Sequence, residues 1–152
     1  MTAPKYSLPE FERRWLVPDA SLLDLSACRV RRIEDKYLDG GRLRLRAVIE
    51  EGVGIVYKLG KKYESKQVVS VYLSREEYGS LLVLPGAVAR KMRYSVAGGA
   101  LDVYEYPLGG LLVFEIEFES AEGMAAYVPP AFVGEEITAK AKYSGFALAQ
   151  QE

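Results

Sequence analysis

Arg42-Leu43-Arg44-Leu45-Arg46 is the stretch on which the reading of this chain turns. Its strict period-2 alternation predicts a β-strand with two unlike faces, three guanidinium groups on one side and two leucines on the other. Similar two-faced runs occur at Glu10-Phe11-Glu12-Arg13-Arg14, Lys91-Met92-Arg93 and Phe114-Glu115-Ile116-Glu117-Phe118-Glu119. Lys58 adds a cation between Tyr57 and Leu59. A single charged face is explained by solvent, because antiparallel sheets often leave one side wet. That account is weaker for four such strands. Three adjacent guanidiniums repel one another, and solubility does not require them. Guanidinium forks match phosphate oxygens bidentately, so the row Arg42, Arg44 and Arg46 reads as an anion-binding wall.

Working outward, alternation predicts strands over 8–17, 28–38, 41–50, 53–61, 66–73, 87–97, 100–106 and 110–119. Short glycine-bearing turns at Asp39-Gly40-Gly41, Glu51-Gly52 and Gly98-Gly99 join several of them as hairpins, so the sheet should be mostly antiparallel. Helices are few. Ser74-Arg75-Glu76-Glu77 fits a capping box opening a helix to about Leu82, which Pro85-Gly86 stops. Ser120 heads a second over about 121–127, a third is expected near Asp19, and a fourth near Ser144. The fold class is α+β: an eight-stranded antiparallel β-barrel, closed or nearly so, with a few short peripheral helices.

The chain of 152 residues is expected to form one domain, 1–152, with 49% hydrophobic and 27% charged residues. Its formal charge of −1 conceals a strong segregation: residues 29–93 carry a net +7 and residues 94–152 a net −7. There is no histidine and one cysteine, Cys28. This excludes Ser-His-Asp and Cys-His triads, His-ligated zinc, an internal disulfide and multi-cysteine metal sites. Metal ligands would have to be mostly carboxylates, which favour hard cations. The Glu-x-Glu pairs suit that role, since residues at i and i+2 share one face of a strand with their Cα atoms about 7 Å apart. Glu10, Glu12, Glu115 and Glu117 could together hold Mg²⁺ or Mn²⁺, and Mg²⁺ commonly arrives with phosphate oxygens. Cationic and acidic strands thus point to one ligand, a polyphosphate carried with a divalent metal.

The ordered set of these segments resembles the CYTH superfamily, the triphosphate tunnel metalloenzymes, across nearly the whole chain, and is most similar to compact bacterial members. EFERRWLV, starting at Glu10, resembles the N-terminal Glu-x-Glu-x-Lys signature. Tyr37-Leu38 with Arg42 to Arg46, Tyr57-Lys58-Leu59-Gly60, and Ala89-Arg90-Lys91-Met92-Arg93-Tyr94 resemble the basic strands. Leu101-Asp102-Val103-Tyr104 and Phe114 to Phe118 resemble the later acidic strands, and Glu136-Ile137-Thr138 with Lys142-Tyr143-Ser144 the C-terminal segment. The resemblance implies an eight-stranded barrel around a charged tunnel and Mg²⁺- or Mn²⁺-dependent hydrolysis of inorganic tripolyphosphate or a nucleoside triphosphate. It implies Glu10, Glu12, Glu115 and Glu117 as metal ligands, and Arg44, Arg46, Lys58 and Arg93, with Arg42 beside them, as phosphate ligands. Asp102 is implied as a further acidic wall residue, and Lys91 and Arg14 as catalytic positions.

The chain departs from the family pattern in places. Arg14 replaces the N-terminal lysine, and arginine keeps charge but cannot act as a base. Lys66-Gln67-Val68-Val69-Ser70 lies where the family has Arg-x-Glu-x-Glu, so two acidic positions are lost at Val68 and Ser70. Asp35 and Lys140 replace a common glutamine and aspartate. These changes keep open a non-catalytic polyphosphate- or nucleotide-binding module, alongside a related adenylate cyclase or thiamine triphosphatase. Trp15, Leu16 and Val17 are expected to pack the first strand against a helix, Cys28 to be an ordinary structural residue, and Lys61-Lys62 to form a solvated turn. The near-neutral chain argues against a nucleic-acid surface. Without a long apolar run or leader-like start, a cytoplasmic protein and no membrane partner are expected. A monomer and a homodimer both remain open.

Overall fold

The computed structural model describes residues 2–151. Among these residues, nine strands form one antiparallel sheet: β1 (Leu8–Pro9), β2 (Phe11–Leu16), β3 (Val30–Leu38), β4 (Leu43–Glu50), β5 (Gly54–Lys62), β6 (Gln67–Leu73), β7 (Gly86–Val96), β8 (Gly99–Tyr104) and β9 (Leu112–Phe118). Their order is β1-β6-β5-β4-β3-β7-β8-β9-β2. The two edge strands are consecutive in the chain, with Glu10 alone between them. β1 pairs with β6 and β2 with β9, and the Glu10 N–H donates to the Lys66 carbonyl at 2.9 Å. The first strand therefore belongs to both edges, and the covalent chain itself joins the ends of the sheet into a nearly closed barrel. The expected single strand over 8–17 divides at this junction, which makes nine strands of eight.

Local signals set most other boundaries. β7 turns into β8 through Ala97 and Gly98, whose φ angles of 52° and 77° are the two left-handed positions of a tight hairpin. The next residue, Gly99, sits where a Cβ would meet the Glu115 carbonyl at 2.5 Å, so β8 and β9 approach closely only because a side chain is missing. The capping box forms as expected: Ser74 Oγ accepts from the Glu77 N–H at 3.1 Å, and the Ser74 N–H donates to Glu77 Oε1 at 2.7 Å. It opens α1 (Arg75–Leu82). Ser120 caps α2 (Ala121–Ala126) and Ser144 caps α3 (Gly145–Ala149). No helix forms near Asp19. Residues 19–28 turn instead, because the carboxylates of Asp19 and Asp24 accept from the Ser21 and Ser26 N–H groups two residues on, at 2.8 and 3.1 Å, and satisfy the backbone without a helix.

The sheet buries apolar side chains on both faces. Outside, Trp15, Val17, Leu101 and Phe114 form a core covered by Tyr127, Phe132 and Val133. Trp15 lies 6.0 Å from Phe114 and 5.8 Å from Tyr127, which follows directly on α2, so Trp15 packs against that helical segment as expected, whereas Leu16 turns to the inner face and joins Tyr104 and Val113. α1 covers the outside of β4 to β6, where Tyr78 stacks 4.4 Å from Tyr57. On the inner face, Tyr104 and Val113 pack against Ile137 and Leu148 from the C-terminal segment. The remaining inner wall carries the charged residues, with Ile33 and Tyr37 on β3 and Val68, Ser70 and Tyr72 on β6 among them.

Candidate functional site

The sheet order places the basic strands β5, β4, β3 and β7 side by side, and the acidic strands β8, β9 and β2 next to them. Alternation then sends Arg44, Arg46, Lys58, Lys91, Arg93, Asp102, Glu115, Glu12 and Arg14 to the same inner face, because each shares register and parity with its neighbour. The expected charge segregation is present as adjoining walls, but each wall also holds the opposite charge.

Two buried aspartates organise the cations. Asp35 on β3, 5% exposed, takes Arg46 bidentately at 2.6 and 2.8 Å, with Arg44 3.9 Å away. Burial pushes the Asp35 carboxyl up, but Arg46, Arg44 and Lys91 outweigh it and bring the pKa down to about 2. Asp102 on β8 is fully buried and takes Arg93 at 2.7 and 2.8 Å and Lys91 at 2.8 Å. Its carboxyl is held far below the ordinary range, since the two cations overcome its desolvation. Burial alone would lower the Lys91 pKa. Asp102 more than reverses this, so Lys91 is held well above the ordinary lysine range and stays an ammonium.

Arg93 continues to Glu115 at 2.5 Å, and Arg14 lies 3.6 Å from Glu115 and 3.8 Å from Glu12. Arg14 is also anchored by donating to the Tyr143 carbonyl at 2.6 Å. Glu115 is raised above the ordinary carboxyl range, first by burial and then by Asp102 and Glu12, against the pull of Arg93.

Glu12 faces Glu117 as its register partner across β2 and β9. Glu10 and Glu12 share Lys62 at 2.5 and 3.5 Å. Among the described residues, no three carboxylates converge closely enough to form a metal-binding cluster. The four glutamates expected as ligands lie along one region of wall, with Glu10, Glu12 and Glu115 each held by a cation.

Among the described residues, the buried Nε of Arg44 has no hydrogen-bond partner. Lys58 lies 5.2 Å over the Tyr72 ring. Arg42 precedes β4 and sits 3.9 Å over the Phe146 ring, so it marks the end of the cation row beside α3. Sequence reasoning missed Lys62. The expected solvated turn at Lys61-Lys62 is instead the end of β5, and the Lys62 ammonium spans β6 to reach the carboxylates beyond it. The missed signal is parity: Lys62 shares the alternation of Lys58.

No protein-family model matches the chain. The chain is 31% identical over 155 residues to the inorganic triphosphatase of Nitrosomonas europaea, covering 93% of this chain and 97% of that protein. A crystal structure of the inorganic triphosphatase NE1496 matches with a TM-score of 0.64 at 25% identity, covering 95% of this chain and 97% of that one. A structure described as hypothetical protein NE1496 matches with a TM-score of 0.63 at 26% identity, over 93% and 98%.

Proposed function

The chain belongs to the family of the Nitrosomonas europaea inorganic triphosphatase, and on that premise we propose that it is a CYTH-type hydrolase of a triphosphate, with inorganic tripolyphosphate as the first substrate to test. The observation that carries this reading is the inner row Arg44, Arg46, Lys91 and Arg93, in which Arg44 keeps a buried donor unpaired. Phosphoryl transfer is catalysed mainly by positioning and by charge placed on the transferring and leaving oxygens. Asp35 and Asp102 serve that end as positioning residues. They keep the guanidiniums and the Lys91 ammonium protonated and aimed along the wall.

A divalent metal fits the donor set. Glu10, Glu12, Glu115 and Glu117 offer only oxygen, which suits Mg²⁺ or Mn²⁺, and Glu12 and Glu117 are direct cross-strand neighbours. When bound, such an ion would supply Lewis-acid charge to phosphate oxygens. Arg14 and Lys91 bind and stabilise charge, and neither is a base: one cannot lose its proton, and the other is held protonated by Asp102.

The decisive experiment incubates the purified chain with tripolyphosphate, ATP or thiamine triphosphate and Mg²⁺ or Mn²⁺. Phosphate release that a chelator stops is expected. Cyclic AMP and pyrophosphate from ATP would identify a cyclase instead. A second reading, a binding module without catalysis, is favoured by the carboxylates already held by Lys62, Arg14 and Arg93. Tight tripolyphosphate binding with no turnover under any metal or pH would establish it and overturn the hydrolase.

A further inference from the structure

Among the described residues, Arg31 stands beside the cation row without a counter-ion. Its register partner across β3 and β7 is Arg93, so two guanidinium-bearing residues face each other directly on the inner wall. Like charges in that position destabilise a sheet unless something negative lies between them. Glu50 and Asp102 are the carboxylates near enough to act on Arg31. Both are already engaged. Glu50 accepts from Arg29 through contacts of 2.7 to 3.1 Å, and Asp102 takes Arg93 and Lys91. Among the described residues, the sole side-chain hydrogen bond of Arg31 runs from Nη2 to Ser95 Oγ at 3.2 Å, and its Nε is buried with no partner. Burial, Arg29 and Arg93 all act to lower its proton affinity. A half-buried cation with an orphaned donor and no carboxylate of its own is a site short of an anion.

We propose that Arg31, with Arg93 and Ser95, forms an anion subsite that takes the phosphoryl group at one end of the bound chain. Register supports the end position. Along the inner face of β3, Arg44 lies opposite Tyr37, Arg46 opposite Asp35, Lys91 opposite Ile33 and Arg93 opposite Arg31, so Arg31 closes the row. Ser95 lies on the parity of Lys91 and Arg93 and brings a hydroxyl donor to the same place. The inference rests on the triphosphate reading and adds to it a residue that the family resemblance does not mark.

The test is calorimetric titration of the full chain with tripolyphosphate, for the unaltered protein, Arg31→Met and Arg31→Lys, with melting curves of each protein free of ligand. Charge-assisted hydrogen bonds of this kind predict binding about ten- to a hundredfold weaker in R31M, with R31K, which keeps charge but loses the fork, between the two. Ligand-free R31M should melt no lower than the unaltered protein, because it removes an uncompensated cation; a merely structural arginine would give the opposite. Unchanged affinity in R31M overturns the subsite and leaves triphosphate binding standing. No tripolyphosphate binding by the unaltered protein overturns both. Should R31M fail to fold, R31K decides: weakened binding sustains the subsite, and unchanged binding overturns it.

Discussion

Replacing Asp35 by asparagine should reveal how much of the fold's stability the charged interior supplies. Asp35 and Arg46 form a bidentate pair at 2.6 and 2.8 Å, with side chains 7% and 11% exposed. The carboxyl falls from its ordinary 3.8 to about 2 in the folded protein. At about 1.4 kcal/mol for each tenfold change in proton affinity, that depression contributes about 2–3 kcal/mol to stability at neutral pH. Asp35→Asn removes it and leaves Arg46 buried without its counter-charge, so the full loss should reach about 3–5 kcal/mol. The pH dependence has a definite sign. Because the folded value lies below the unfolded one, the contribution is complete above about pH 5, begins to shrink near the unfolded value of 3.8, and is lost as pH falls through about 2. Urea denaturation of both proteins from pH 7 down to pH 2 measures it. The gap between them should stay constant to about pH 5 and then narrow by about 2 kcal/mol by pH 2. Equal stabilities at pH 7, or a gap that ignores pH, would refute the reasoning, since every other titrating group is common to both proteins.

Other substitutions address the remaining walls. Phe114→Ala should lose about 3–5 kcal/mol in chemical denaturation, because Phe114 is fully buried between Trp15 and Phe132; a loss below about 1 kcal/mol would show that this core collapses to fill the space. Lys62→Met should raise Mn²⁺ affinity about tenfold by calorimetry, because the ammonium now sits between Glu10 and Glu12, and equal affinity would show that the ion pair does not compete with metal. Arg14→Lys keeps the cation beside Glu115 and Glu12 while allowing deprotonation. It should raise kcat for tripolyphosphate with little change in KM, and an unchanged kcat would show that Arg14 does not limit turnover.

What the sequence by itself determined is the part governed by short-range physics. Period-2 alternation is a property of neighbouring residues, so the two-faced strands, and the sharing of one face by Arg44 with Arg46 or Lys91 with Arg93, were legible before any fold was known. The same holds for α1, because Ser74 and Glu77 satisfy each other's backbone within one turn. Near Asp19 the same residue type carried two local meanings, helix cap and Asx turn, and nothing nearby chose between them.

Tertiary structure alone decided how the faces meet. Glu10 reads as an ordinary strand residue until β1 finds β6 and β2 finds β9, and strand pairing is a long-range event that no local pattern encodes. The partners of the charges depend on it as well. Asp35 holds Arg46, and Asp102 holds Lys91 and Arg93, only because the register sets them side by side. Lys62 joins Glu10 and Glu12 from 50 or more residues away, and among the described residues Arg31 lacks a counter-ion because Glu50 and Asp102 are engaged by other cations. The strand pattern could predict a charged interior, but the balance of each charge within it depends on distances of a few ångströms across strands, and those exist only once the sheet has closed.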